Sequence, residues 1–133
     1  MFSHVTFGCS DLSRAASFYD AVLEVLGIHR RPVTPDGAPE SACWGLAGNS
    51  LPCFYVYQPF NGKAASAGNG SMVAFAASSV ENVEAAYKKA VENGAVDEGA
   101  PGERPHYGPG YYGAYFRDLD GNKVHIVYRG DVE

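Results

Sequence analysis

The chain has 133 residues, a formal net charge of −5, 46% hydrophobic residues and 19% charged residues. This length suits one domain, and the composition is that of a globular protein rather than a disordered one. The acidic balance and the lack of a Lys/Arg run argue against nucleic acid and against an anionic membrane as partners. No apolar stretch is long enough to span a bilayer and no signal peptide is recognisable, so we expect a cytoplasmic protein.

An internal repeat organises the chain. At a constant shift of 68 positions, residues 2–24 align with residues 70–92. Such self-similarity predicts two copies of one structural unit. The identical matches include Val5 with Val73, Phe7 with Phe75, Ser10 with Ser78, Tyr19 with Tyr87 and Glu24 with Glu92.

The first copy begins with a strand pattern over residues 4–7, followed by Ser and Asp residues that can cap a helix. The helix that follows should end at Gly27, because apolar residues recur at i, i+3 and i+4 up to that point. Two strand patterns follow, over residues 42–46 and 52–57. Residues 60–69 are rich in Gly, Ala, Ser and Asn, which predicts a connection between the halves with a boundary near residue 65.

The second copy repeats this order. A strand pattern over residues 72–75 leads into an amphipathic helix that should end before Gly94, and strands are predicted over 113–117 and 123–128 around a hairpin turn at 118–122. Residues 94–113 contain six glycines, which predicts an irregular segment folded over the mouth of a cavity.

Three cysteines, Cys9, Cys43 and Cys53, give an odd number without C-x-x-C spacing. This pattern indicates neither a disulfide framework nor a zinc knuckle. We expect buried free thiols, since no Lys, Arg or His is adjacent to any of them in sequence.

Strand alternation predicts which side chains face away from the helices. In the first strand Val5 and Phe7 share the helix side, so His4 and Thr6 should face inward. In the last strand His125 should likewise face away from the helix. The two histidines are therefore expected to converge on one concave sheet surface.

These motifs resemble the vicinal oxygen chelate superfamily of glyoxalases, bleomycin resistance proteins and extradiol dioxygenases, and its glyoxalase-like branch in particular. The resemblance rests on the opening His-Val-Thr-Phe, the following Ser-Asp-Leu and the closing Asp-Leu-Asp-Gly-Asn-Lys-Val-His, and it covers nearly the whole chain. It implies an α+β fold of two tandem βαβββ modules, with a curved mixed sheet forming an open barrel around a cavity. One domain, 1–133, would comprise module 1 at about 1–60, a linker at 61–69 and module 2 at about 70–130.

The resemblance also implies a divalent metal, such as zinc, iron, manganese or nickel, at His4, Tyr57, Met72 and His125. Only the two histidines are good ligands, because a thioether binds these metals poorly and a phenol must first lose its proton. Two interpretations stay open: His4 and His125 hold a metal completed by water or substrate, or they are catalytic or cavity-lining groups that move protons without one.

Further side chains are candidates for binding the ligand. The segment after the second helix offers a cation, a titratable ring and several phenols, which suit a small anionic or aromatic molecule. An equally open alternative is that Tyr111 and Tyr112 only pack that segment. The predicted substrate-binding residues are Thr6, Tyr55, Tyr57, Met72, Arg104, His106, Tyr107, Tyr111 and Tyr112.

Two functions follow from the resemblance. The first is a glyoxalase-like enzyme of the lyase, isomerase or dioxygenase type, for example one similar to lactoylglutathione lyase, in which a metal polarises substrate oxygens. The second is a metal-independent protein that binds or sequesters a small molecule or antibiotic. The resemblance also implies a homodimer.

Overall fold

The chain forms two copies of a strand–helix–strand–strand–strand unit, as a computed structural model describing residues 1–132 shows. The first module comprises β1 (His4–Gly8), α1 (Leu12–Glu24), β2 (Ile28–Arg31), β3 (Ser41–Leu46) and β4 (Cys53–Tyr57). The second comprises β5 (Val73–Ala76), α2 (Val80–Glu92), β6 (Val96–Glu103), β7 (Tyr111–Arg117) and β8 (Lys123–Arg129), with a short 3₁₀ turn at Pro105–Tyr107. The two predicted βαβββ modules are confirmed.

The helices reproduce the sequence repeat. Each has 13 residues, and both their first and last residues are related by the shift of 68. Asp11 caps α1 by accepting from the backbone N–H of Arg14 at 3.1 Å, and Ser79 caps α2 by accepting from Asn82 at 3.1 Å. Within residues 1–132, neither helix is long and apolar enough to cross a membrane.

Each module forms its own four-stranded mixed sheet. The strand orders are β1-β4-β3-β2 and β5-β8-β7-β6, with the pairs β1–β4 and β5–β8 parallel and the others antiparallel. Within residues 1–132, the two sheets are not joined edge to edge by hydrogen bonds, and neither closes on itself. The faces of the strands that point away from the helices, which were predicted to form one curved surface, therefore belong to two sheets.

Residues 94–113 differ from the irregular segment that their glycines predicted. Val96–Glu103 forms β6, which pairs with β7 through register shifts between Asp97 and Gly99 and between Gly99 and Gly102. Glycine tolerates such bulges, so a composition typical of a loop is compatible with a strand when a neighbouring strand supplies the hydrogen bonds. The four-residue strand β2 was also missed.

One core lies between the helix-bearing faces of the two sheets. Its largest fully buried side chains include Trp44, Tyr19, Phe18 and Phe116. Phe18 of α1 meets Phe116 of β7 with ring centroids 6.1 Å apart, so the core crosses the module boundary. The opposite face of each sheet, which carries the alternate side chains, is directed away from the helices.

A buried polar network ties the β7–β8 turn to the first module. The Tyr19 hydroxyl donates to Oδ2 of Asp118 at 2.5 Å, and Asp118 also accepts from the backbone and side chain of Asn122. Asn122 in turn donates to the Gly8 carbonyl at 3.0 Å, and Asp120 accepts from the backbone N–H of Ser10 at 2.9 Å. The pKa of Tyr19 is raised well above its ordinary value, mainly by burial and next by the negative charge of Asp118. This phenol therefore keeps its proton.

Tyr19→Phe should destabilise the protein by about 1–3 kcal/mol, because it leaves a buried carboxyl oxygen without one of its donors. Urea unfolding followed by circular dichroism measures the change. Tyr87→Phe is the matched control, since Tyr87 is the repeat equivalent of Tyr19 but donates to Asp97 in an exposed pair. Equal losses in the two variants would contradict a special role for the buried network.

Candidate functional site

A cleft of about 860 Å³ lies on the face of the first sheet that is directed away from α1. Side chains of β1 and β4 form its floor. Residues 32–40, between β2 and β3, form a wall together with the ends of those strands. The lining residues are His4, Thr6, Arg30, Arg31, Pro32, Val33, Thr34, Pro35, Asp36, Ala38, Pro39, Glu40, Ser41, Ala42, Tyr55 and Tyr57.

The floor of the cleft follows from strand alternation and register. Thr6 of β1 pairs with Tyr55 of β4 in the parallel ladder, so His4, Thr6, Tyr55 and Tyr57 share one face. The His4 ring meets the Tyr55 ring edge to face with centroids 5.5 Å apart. Nδ1 of His4 lies 3.0 Å from the Ser3 hydroxyl.

The two arginines that line the cleft are already engaged. Arg30 forms a paired contact with Asp20 of α1, with Nε–Oδ1 at 3.0 Å and Nη2–Oδ2 at 2.5 Å. Burial alone would raise the pKa of Asp20. The hydrogen bonds from Arg30 and Trp44 outweigh this effect, so the pKa of Asp20 lies below its ordinary value. Neither arginine is therefore free to bind an anion, since Arg31 donates to backbone carbonyls of the loop after β3.

His125 lies in the second sheet and is held in one tautomer. Its Nδ1 is 2.8 Å from the Ala114 carbonyl, which can only accept, so Nδ1 carries the proton. Nε2 therefore accepts from the Tyr111 hydroxyl at 2.9 Å. Burial, together with the positive charges of Arg104 and Lys123, lowers the pKa of His125 despite the opposing Ala114 hydrogen bond, so the ring stays neutral.

Aromatic rings enclose the imidazole of His125, which is only 1% exposed. Tyr115 stacks on it with a centroid separation of 4.0 Å, and Tyr111 stacks at 5.9 Å. Gly113 makes room for the ring, since a Cβ at that position would run into it. Arg104 and Lys123 lie over the Tyr115 ring at 5.8 and 5.2 Å, so this face is lined with phenols and cations.

The predicted site residues fall into two separate groups. Four of them, His4, Thr6, Tyr55 and Tyr57, line the cleft of the first sheet. A second group surrounds or adjoins His125 on the second sheet: Arg104, Tyr111 and, through ring contacts, Tyr107 and His106. Met72 precedes β5 and is 43% exposed. His4 and His125 lie on strands of different sheets, and no residue of the second module lines the cleft that contains His4.

Tyr112 was predicted either to bind the ligand or to pack its segment, and it lies on the face of β7 that packs against α2. It alternates with Tyr111 along β7, so it faces α2, packs against the core and donates to Glu84 at 2.9 Å. It therefore does not lie on the face that carries His125.

The four positions implied for a metal do not fit a divalent ion within one chain. Both ring nitrogens of His125 are engaged, and Tyr57 and Met72 supply a phenol and a thioether, which are poor donors. Among residues 1–132 no group of three or more His, Cys, Asp and Glu is placed to hold a metal. We therefore derive no chemical step through a metal.

Sequence reasoning missed the wall of the cleft. Residues 32–40 were not assigned to the site, although Pro32, Pro35 and Pro39 mark a segment that cannot join a sheet interior. It also missed Tyr115, which stacks directly on His125. Alternation along β7 from Tyr111 could have identified it, since both residues share one face.

Comparison with known proteins gives a consistent result. The family model described as Glyoxalase/Bleomycin resistance protein/Dioxygenase superfamily matches residues 1–126. A solved glyoxalase/bleomycin resistance protein from Albidiferax ferrireducens T118 is 37% identical, with 97% of this chain and 98% of that chain covered and a TM-score of 0.80. No curated protein matches the chain.

Two further solved structures resemble the fold at lower identity. A glyoxalase-related enzyme from Fulvimarina pelagi is 20% identical, with 97% and 88% of the two chains covered and a TM-score of 0.71. A glyoxalase/bleomycin resistance protein/dioxygenase family enzyme from Burkholderia phytofirmans PsJN is 18% identical, with 95% and 96% covered and a TM-score of 0.70.

The lowered pKa of His125 predicts a pH-dependent stability. Below the ordinary histidine pKa of 6.5 the unfolded chain binds a proton that the folded chain does not, so stability should fall as pH decreases from about 7. The contribution is at most about 1.4 kcal/mol per pH unit. Urea unfolding of wild type and His125→Gln between pH 7.5 and 5.5 measures it, and the variant should lose this part of the slope.

His29→Gln is the control for this experiment, because His29 is exposed on β2. It should keep the wild-type slope. If His125→Gln also kept it, the neutral, hydrogen-bonded state of His125 would be contradicted.

Proposed function

Since this chain belongs to the Glyoxalase/Bleomycin resistance protein/Dioxygenase superfamily, we propose that it binds a small organic molecule in the cleft of the first sheet without a metal ion. One observation carries this proposal: His4, Thr6, Tyr55 and Tyr57 form the floor of a cleft of about 860 Å³. This volume lies in the range of about 300–1,000 Å³ that is typical of small-molecule sites.

The charges around the cleft favour a neutral or cationic ligand. Arg30 and Arg31 are engaged by protein acceptors, so they offer little to an anion. Asp36 and Glu40 are exposed in the wall and, among the described residues, neither takes part in an ion pair. The faces of Tyr55 and Tyr57 attract positive charge and stack on apolar rings. An aromatic molecule bearing a positive charge would meet all of these groups.

A second candidate function is proton transfer on the second sheet, which would keep the glyoxalase-like enzyme hypothesis without a metal. The observation that favours it is the Tyr111–His125 pair, in which a neutral imidazole accepts from a partly exposed phenol. A substrate that gives a proton to the Tyr111 oxygen would find His125 Nε2 as the acceptor of the proton that Tyr111 releases. This candidate uses the catalytic role predicted for His125 and leaves His4 to ligand binding.

The binding proposal predicts selectivity between two ligands with the same ring. Phenyltrimethylammonium should bind measurably in isothermal titration calorimetry, and benzoate should bind far more weakly. The reason is that the Asp36 and Glu40 carboxylates make no ion pair among the described residues, whereas the N–H groups of Arg30 and Arg31 already have protein acceptors. Thr6→Trp should lower the affinity for phenyltrimethylammonium by on the order of tenfold, since the indole would fill the floor.

Ala74→Trp is the matched control, because Ala74 is the repeat equivalent of Thr6 and is exposed on β5 of the other sheet. It should leave the affinity unchanged. Tighter binding of benzoate, or a loss caused by Ala74→Trp and not by Thr6→Trp, would refute the cleft as the site.

The metal-independent proposal also predicts insensitivity to chelation. Excess EDTA should change neither the thermal midpoint of unfolding nor the affinity for phenyltrimethylammonium, because both nitrogens of His125 are engaged within the protein. Differential scanning fluorimetry with and without zinc, nickel, manganese or ferrous ions tests this. A metal-induced increase in the midpoint that His4→Ala abolishes would instead support the metal-assisted enzyme.

The homodimer implied by the resemblance stays a prediction. If two chains associate through the outward faces of their sheets, a cleft of one chain could be closed by the phenol- and cation-rich face of another.

A further inference from the structure

Two cysteines lie together on the outward face of the first sheet. Cys43 of β3 pairs with Tyr55 of β4, and Cys53 lies two residues before Tyr55, so all three share one face of the sheet. Cys43 and Cys53 are thus diagonal neighbours across an antiparallel pair of strands. Both are free thiols, Cys43 buried and Cys53 partly exposed.

The two cysteines and Tyr55 influence each other's ionisation. Burial raises the pKa of Cys43. The hydrogen bond with Tyr55 lowers this pKa, but the charge and hydrogen bond of Cys53 raise it further. The pKa of Tyr55 is in turn raised, first by its hydrogen bond with Cys43. Cys43 is therefore the thiol that keeps its proton.

A guanidinium is fixed against the other sulfur. Nη1 of Arg31 donates to Sγ of Cys53 at 3.5 Å, and the same group donates to the carbonyls of Ser50 at 3.1 Å, Leu46 at 2.6 Å and Asn49. Gly45 leaves the space that this guanidinium occupies, since any Cβ there would overlap it.

The positive charge beside Cys53 is not neutralised by a carboxylate, as Arg31 makes no ion pair among the described residues. A guanidinium next to a sulfur stabilises the negative charge that a thiol carries when it acts as a nucleophile. Because Cys53 is also the more exposed of the two thiols, it is the one that a peroxide in solvent reaches first.

We propose that Cys43 and Cys53 form an oxidation site, in which hydrogen peroxide converts the two thiols into a disulfide across β3 and β4. Cys53, as thiolate, attacks one peroxide oxygen; the O–O bond breaks, Cys53 becomes a sulfenic acid and the released hydroxide takes up a proton to form water. The Cys43 sulfur then attacks the Cys53 sulfur, the S–O bond breaks, and the hydroxide leaves with the Cys43 proton as a second water. Two thiols and one peroxide thus give one disulfide and two waters.

Peptide mapping of the full chain tests this proposal. The reduced protein is treated with hydrogen peroxide, alkylated and digested with trypsin without reductant. Residues 31–63 contain Cys43 and Cys53 but no other cysteine, and no Lys or Arg lies between the two. We expect this peptide to be two hydrogen atoms lighter and to carry no alkyl group, and chymotryptic cleavage after Trp44 to leave its two parts joined.

Single substitutions test the order of the steps. In Cys43→Ser, peroxide should leave a sulfenic acid on Cys53 that dimedone traps, whereas Cys53→Ser should leave Cys43 unmodified. Cys9→Ser is the matched control and should still form the bridge, because Cys9 is buried in the connection between β1 and α1, and burial raises its pKa to about 11.

Three results would overturn the proposal: alkylation of both Cys43 and Cys53 in the peroxide-treated wild type, a disulfide between chains in place of the internal one, or dimedone on Cys43 in preference to Cys53. The wild-type mapping decides the matter even if a substitution impairs folding. It does not depend on whether the cleft binds a ligand, so it can fail or succeed independently of the proposed function.

Discussion

The hydrogen bond between the Tyr19 hydroxyl and the Asp118 carboxyl fixes the relation between the two modules. Tyr19 lies in the first helix, and Asp118 begins the turn between the last two strands, 99 positions further along the chain. The same turn holds β1 through Asn122 and the Gly8 carbonyl. This polar link and the aromatic contacts around it join α1 to β7 and its turn, and so help to set how the outward faces of the two sheets are directed.

The two helices could be predicted from the sequence because they depend on short-range periodicity. Apolar spacing and the Asp11 and Ser79 caps act within one or two turns, so they located both helices, although α1 ends at Glu24 rather than at the predicted Gly27. Strand β6 was not readable, because its glycines favour a loop and only pairing with β7 makes it a strand. The separation of His4 from His125 was not readable either, since contacts between modules leave no periodic signal.

The two outward faces have diverged in chemistry from one repeated unit. Tyr57 and His125 are equivalent under the shift of 68, yet the phenol lines an open cleft while the imidazole is enclosed by tyrosine rings. The first face combines engaged arginines with exposed acidic groups in its wall. The second carries Arg104 and Lys123 over Tyr115, so the two faces present different charged groups.

The Arg31 guanidinium lies over Gly45, so the effect of a substitution at either position depends on the residue at the other. A side chain at position 45 would displace the guanidinium from the carbonyls of Leu46, Asn49 and Ser50, and so release the loop that they anchor. The anchoring of this loop therefore depends on the missing side chain at position 45 as much as on the arginine at position 31.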